Sequence, residues 1–238
     1  MATPTPQARA MSRINRRDGA GDDFRSVTTT PRKWVWNLYN RFPGNGSNRF
    51  LRYGAGVAAE PFRQGAGRLC LDFTRTLRRR GHPDAVEELP TPAAVLAWVT
   101  QFGPVPATVA SLPPADVQRF REAVFTLVTK GPAGCAATDL DLVNRIAAAP
   151  PPIPAVQPAG TLDWTAGDPV AATLSLVARD ALDLATTPAA SRIRECADPA
   201  CSALFVDNSR PGTRRWCAMS ACGNRAKKTA YRDRATAG

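Results

Sequence analysis

Residues 194–234 read RECADPACSALFVDNSRPGTRRWCAMSACGNRAKKTAYRDR and hold Cys196, Cys201, Cys217 and Cys222. Each pair of cysteines encloses four residues, and fifteen residues lie between the pairs. A tetrahedral metal ion needs this arrangement, because each pair curls two sulfurs toward one point while the loop between turns back. The commonest spacing within a pair is two, yet the matched pairs and their separation predict a four-cysteine zinc site. Asp198, Pro199 and Ala200 inside the first pair, and Gly223 after the second, supply turn chemistry where the backbone bends around the metal. Four thiolates close the coordination shell, so the single zinc expected here is structural and leaves no position for a catalytic water. In so short a segment its binding supplies most of the folding free energy.

The chain has 238 residues, 44% of them hydrophobic, which suits one large folded domain or two smaller ones. No apolar run approaches the roughly 18 residues of a membrane span. The N-terminus lacks the apolar stretch of a signal peptide, so a cytoplasmic, nucleoid-associated protein is expected. In that reducing compartment six cysteines point to a metal and spare thiols rather than disulfides. The formal charge of +11 divides unevenly: residues 1–60 carry ten cations and four anions, 61–190 eleven and twelve, and 191–238 ten and four. The basic ends, rather than the near-neutral middle, are therefore expected to meet a polyanion.

Residues 1–59 read as a disordered basic extension rich in Thr, Pro, Arg, Gly and Asn. Within it, Pro31 to Phe42 interleaves Trp34, Trp36 and Tyr39 with cations, as a surface anchor would. A start at Val57 is an alternative reading of the same stretch, which an intact mass including Met1 or Ala2 would overturn. From residue 60 the pattern changes. Leu69, Leu71 and Phe73 alternate after Gly65 and Gly67, giving either a short strand or a helix start. Cys70 reads there as a small buried hydrophobe. Asp72 lies among core positions and needs a partner, with Arg68 and Arg75 as candidates. Thr91 and Pro92 open a helix whose stripe is Val95, Leu96, Val99 and Phe102. A second runs from Pro114 to Gly131, a third opens at Thr138 with Leu142, Val143 and Ile146 inward, and a fourth runs from Asp168 and Pro169 to near Pro188. Pro150 to Pro158 excludes helix, and Thr161 to Trp164 suits a strand or hairpin. Glu87 and Glu88 read as solvated surface. The single histidine, His82, sits in a basic turn, and no nucleophile elbow, P-loop or dinucleotide motif is present, so no enzyme activity is expected.

From Cys222 to Lys228 the sequence CGNRAKK resembles the CGNR zinc-finger family, and RECA at 194–197, LFVDNSR at 204–210, RRWC at 214–217 and YRDR at 231–234 agree with it. Upstream, GAGRLCLDF at 65–73 resembles the opening of the ABATE domain, which accompanies this finger in bacterial proteins labelled stress-induced transcription regulators. Arg75 departs from that family's pattern, where a small polar residue, often Asn, is expected.

The fold class expected is α+β: a mainly helical domain with a small β component over 60–190, then a small four-cysteine treble-clef-like finger over 191–238. Leu204–Val206 should form one strand of a hairpin, turned by Ser209–Gly212 and returned by Arg214–Trp216. A basic helix should follow the second cysteine pair, with Arg225, Lys228 and Arg232 on one face and Lys227, Tyr231 and Arg234 on another. Arg210, Arg214, Arg215, Asn224, Arg225, Lys227, Lys228, Arg232 and Arg234 are the candidate nucleic-acid contacts. The function expected is a DNA-binding transcriptional regulator. Its upstream domain would sense a small-molecule effector or stress signal, with Arg68 and Asp72 as candidate pocket residues. The competing reading is a protein-interaction module using Trp216 and Phe205 as anchors.

Overall fold

The computed structural model describes residues 62–236. The extension over 1–59, its aromatic stretch and the Val57 start lie outside the described residues. The run after Gly67 forms a helix, α1 (Leu69–Thr74), whose six residues are all buried. A helix buried on every side carries no amphipathic period, so alternation in the sequence did not distinguish it from a strand. A short antiparallel hairpin follows, β1 (Leu77–Arg78) with β2 (Val86–Glu87). The next helix, α2 (Pro92–Phe102), is capped by the Thr91 hydroxyl, which accepts the Ala94 N–H at 3.2 Å.

Helix α3 (Pro114–Lys130) ends at Gly131, as its apolar stripe predicts. Helix α4 (Ala137–Ala147) begins one residue ahead of the expected Thr138, after Ala136, which has no capping side chain. Of its inward residues only Val143 is fully buried, with Leu142 and Ile146 half-buried. The proline-rich stretch contains β3 (Ile153–Val156), which pairs with β4 (Leu162–Thr165) as a hairpin. A two-stranded sheet tolerates Pro154 because each strand has a free edge. Helix α5 (Pro169–Thr186), capped by Asp168, packs against all four preceding helices. At the centre, Phe73 meets Trp98 edge-on at 5.0 Å and Phe120 at 5.5 Å.

Placing α1 inside this core buries polar groups that must then be paired. Asp180 of α5 accepts the Cys70 N–H at 2.8 Å and the Arg68 Nε at 2.7 Å, and Arg68 also reaches Asp183 at 2.7 Å. Asp72 accepts the N–H groups of Gly65 and Ala66 and pairs with Arg75 at 3.1 Å. The turn that delivers those two amides has φ of +97° at Gly65 and +90° at Gly67, angles that a residue with Cβ resists. Glu87 is half-buried rather than solvated, because the buried guanidinium of Arg121 grips both its oxygens at 2.7 and 2.6 Å. Glu88 is likewise half-buried, 3.3 Å from Arg78, and burial raises its pKa.

The C-terminal segment contains β5 (Ile193–Glu195), β6 (Leu204–Val206) and α6 (Asn224–Thr236), the last preceded by a wide π-turn at Met219–Gly223. The partner of β6 is β5, not the expected Arg214–Trp216, with Ile193 opposite Val206. The physical reason lies at Asp207. Its carboxylate accepts the Ser209 N–H at 2.9 Å, the Ser209 hydroxyl at 2.6 Å and the Arg214 N–H at 2.9 Å. This closes a loop over 207–214 and takes up a donor that a returning strand would have used. Val206 N–H donates to Ala66 O at 2.8 Å, so β6 is tied to the turn leading into α1. Leu204, Phe205 and Val206 share one hydrophobic core with the helices.

Candidate metal centre

Because β5 and β6 are neighbours, the first cysteine pair occupies the turn between them, with Cys196 next to β5 and Cys201 three residues ahead of β6. Asp198 shapes that turn by accepting the Ala200 N–H at 3.0 Å. Cys217 follows the Asp207-closed loop, and Cys222 lies in the π-turn that launches α6. All four thiols are buried, and their sulfurs lie within 4.8 Å of one another. The Cys201–Cys217 and Cys217–Cys222 separations are 3.6 and 3.7 Å. A tetrahedron with Zn–S bonds of about 2.3 Å has edges of about 3.8 Å, so the cradle fits zinc in size as well as in donor chemistry.

Bare thiols this close cannot all ionise. Hydrogen bonding from Cys217 lowers the Cys201 thiol to about 5, and the same contact pushes Cys217 far above the ordinary thiol range. Burial raises Cys222 to about 12. A divalent cation removes the conflict by compensating the thiolates. Four thiolates and one Zn²⁺ leave a charge of −2, and two arginines stand against it. Arg75 Nη2 lies 3.8 Å from Cys217 Sγ, and Arg225 Nη2 lies 3.9 Å from Cys222 Sγ. Each is held from behind by a carboxylate, Asp72 for Arg75 and Asp198, at 2.9 Å, for Arg225. The Cys217 N–H donates to Cys196 Sγ at 3.4 Å. The sequence signals the thiols, but not this role of Arg75: it was legible as a partner for Asp72 and as a departure from the family pattern, whereas Cys217 is 142 residues away.

The candidate nucleic-acid residues divide by environment. Arg210, Arg215, Asn224, Arg225, Lys227, Lys228, Arg232 and Arg234 are exposed. Arg214 is half-buried, lies over the Phe205 ring at 4.7 Å and donates to the Trp216 and Cys217 carbonyls, so it braces the finger. Arg215 lies over Trp216 at 5.1 Å. No residue of α6 is buried. Two of the segment's four carboxylates, Asp198 and Asp207, are buried, which leaves Glu195 and Asp233 as its exposed acids. Phe205 has no exposed surface, since it packs into the core beneath Arg214, and is therefore removed as an anchor for a protein partner. The candidate pocket residues Arg68 and Asp72 are both buried within the ion-pair networks described above. No helix among the described residues is long and apolar enough to cross a membrane.

Comparison with family models gives two matches. Residues 67–188 match ABATE, described as "Putative stress-induced transcription regulator", and residues 192–235 match the CGNR zinc finger. Neither description is of an enzyme. A comparison with curated proteins finds no match. The finger match and the sulfur cradle agree on one structural zinc ion held by Cys196, Cys201, Cys217 and Cys222.

Proposed function

The chain belongs to the ABATE family and ends in a CGNR zinc finger, and from that premise we propose that it is a transcriptional regulator whose finger binds DNA through α6. The observation that carries this reading is the first turn of that helix. Lys227 and Lys228 stand exposed at its end with no acid in the turn, while Arg225 beside them pairs with Asp198. Lys228 and Arg232, four residues apart, are like charges that destabilise a helix by about 0.2–0.5 kcal/mol, so helix stability does not explain them. Phosphates do, because each exposed ammonium or guanidinium can pair with one. With 13 residues, none of them buried, α6 is roughly 20 Å long and can enter a major groove about 12 Å wide. Zinc fixes its start through Cys222. Arg210, Arg215, Arg232 and Arg234 extend the cationic surface beyond the first turn. In this reading the ABATE part senses the effector or stress signal, and the protein works at the nucleoid without chemistry of its own.

The test is salt-dependent binding of the zinc-loaded chain to duplex DNA, followed by fluorescence anisotropy. Log affinity should fall with log salt by about 0.9 per contacted phosphate. Lys227→Ala with Lys228→Ala should flatten that slope by about 1.8 if each contacts one phosphate. A slope near zero in the unmodified protein sinks the reading. Arg225→Ala is a poorer probe, since Arg225 also pairs with Asp198 and contacts Cys222.

A further inference from the structure

Helix α6 turns about 100° per residue, and its side chains sort by the face they occupy. The finger fixes one side: Arg225 pairs there with Asp198 at 2.9 Å and lies 3.9 Å from the Cys222 sulfur, and the adjacent Ala226 is half-buried. Asp233, the one acid of the helix, falls on the same side as Ala226. The opposite side bears a ridge of uncharged residues, Asn224, Tyr231 and Ala235, within about 40° of one another. Lys227 and Arg234 flank that ridge on one side, Lys228 and Arg232 on the other. All seven are exposed. Solvation accounts for four cations on a helix, but not for their division into two rows around a neutral ridge. Tyr231 within the ridge is 70% exposed, so packing inside the chain does not account for that aromatic ring either. The major groove of duplex DNA has the matching cross-section. It is about 12 Å wide, it admits one helix about 10–12 Å across, and it presents base edges on its floor and phosphates along its walls. At the head of the ridge the Asn224 amide donates to the Ser220 carbonyl at 3.2 Å, which orients it. Its oxygen and second N–H stay open above a shallow hollow of about 400 Å³ that Ser220, Ala221 and Lys228 also line. That acceptor and donor match the N6 amino group and N7 of adenine.

Resting on the reading of α6 as a DNA-binding helix, we propose that this ridge reads base sequence. Asn224 recognises an adenine, Tyr231 contacts a neighbouring base pair two turns further along the helix, and the two rows of cations hold the phosphates on either side. The ligand is then duplex DNA of a defined sequence rather than any polyanion.

The experiment selects duplexes from a randomised library with the zinc-loaded full chain, sequences them, and measures the affinity of chosen duplexes by fluorescence anisotropy. The unmodified protein should enrich a motif with a fixed adenine. Exchanging that A·T pair for G·C should weaken binding at least about fivefold, the low end of a bidentate base contact. Asn224→Ala should remove this discrimination, whereas Tyr231→Ala should flatten a second position of the motif and keep the adenine. Both side chains are exposed, and unchanged zinc content and melting temperature would show that the variants fold. A motif that Asn224→Ala retains in full overturns the proposal, as does tighter binding to single strands than to duplex. Salt-dependent binding with no enriched motif also overturns it but leaves the proposed function standing, while absence of salt-dependent binding sinks both.

Discussion

Arg75 is where two networks of opposite purpose meet. On one side it neutralises Asp72, whose carboxylate holds the glycine turn ahead of α1, and on the other it faces a zinc-bound thiolate. Lysine keeps the charge but cannot span both partners with one planar group. Arg75→Lys should therefore accelerate zinc transfer to a competing chelator by about tenfold, the low end of what losing a group behind a metal ligand costs. Unchanged transfer kinetics would mean that Arg75 serves only Asp72. Asp180 is the comparable residue on the helical side, because it caps α1 and pairs with Arg68 at once. Asp180→Ala leaves Arg68 with the part-exposed Asp183 as its one carboxylate beside the main-chain oxygen of residue 180, so urea denaturation should register a loss of about 3 kcal/mol. In the sequence, Asp72 and Arg68 were legible as charges among apolar residues. The local partner, Arg75 three residues on, could be named, but nothing near Arg68 points to Asp180, 112 residues away.

Among the elements, the helices that border solvent on one face were readable from caps and stripes: α2, α3 and α5 start and stop where Thr91, Gly131 and Asp168 place them. Helix α1 was not, because complete burial erases the period. The β5–β6 pairing was missed for a different reason: a loop tightened by Asp207 resembles a hairpin turn, although the hairpin turn is the cysteine turn before it. That loop makes a pH prediction. Hydrogen bonds from Ser209, and then from the Arg214 N–H, hold the Asp207 carboxyl below its usual pKa. A depressed acid stabilises the fold fully above its unfolded value of about 3.9, and the contribution disappears as pH falls through the lower folded value. Asp207→Asn should thus have a lower urea midpoint than the wild type at pH 7. The gap should close as pH drops below about 3.9. A gap constant across that range would assign the loss to shape rather than charge.

At the scale of the whole molecule the finger does not hang from the helices on a linker. Val206 donates to Ala66, Arg75 reaches Cys217, and the apolar residues of β6 complete the core around α1. Zinc therefore stabilises more than the 44 residues of the finger match. Without metal, the Cys217 and Cys222 thiols are protonated at neutral pH, so zinc binding must release at least two protons, measurable by titration in buffers of different ionisation enthalpy. Removing zinc should loosen β6 and expose the side of α1 that it covers. In a protein of this size each kcal/mol lost shifts the melting temperature by roughly 2–4 °C. Chelation should consequently lower the main calorimetric transition by several degrees, and Cys217→Ser should do the same without chelator. If the helical part instead melts at an unchanged temperature after the metal is gone, β6 contributes little to its stability, and the two matched regions are joined more loosely than their shared core implies.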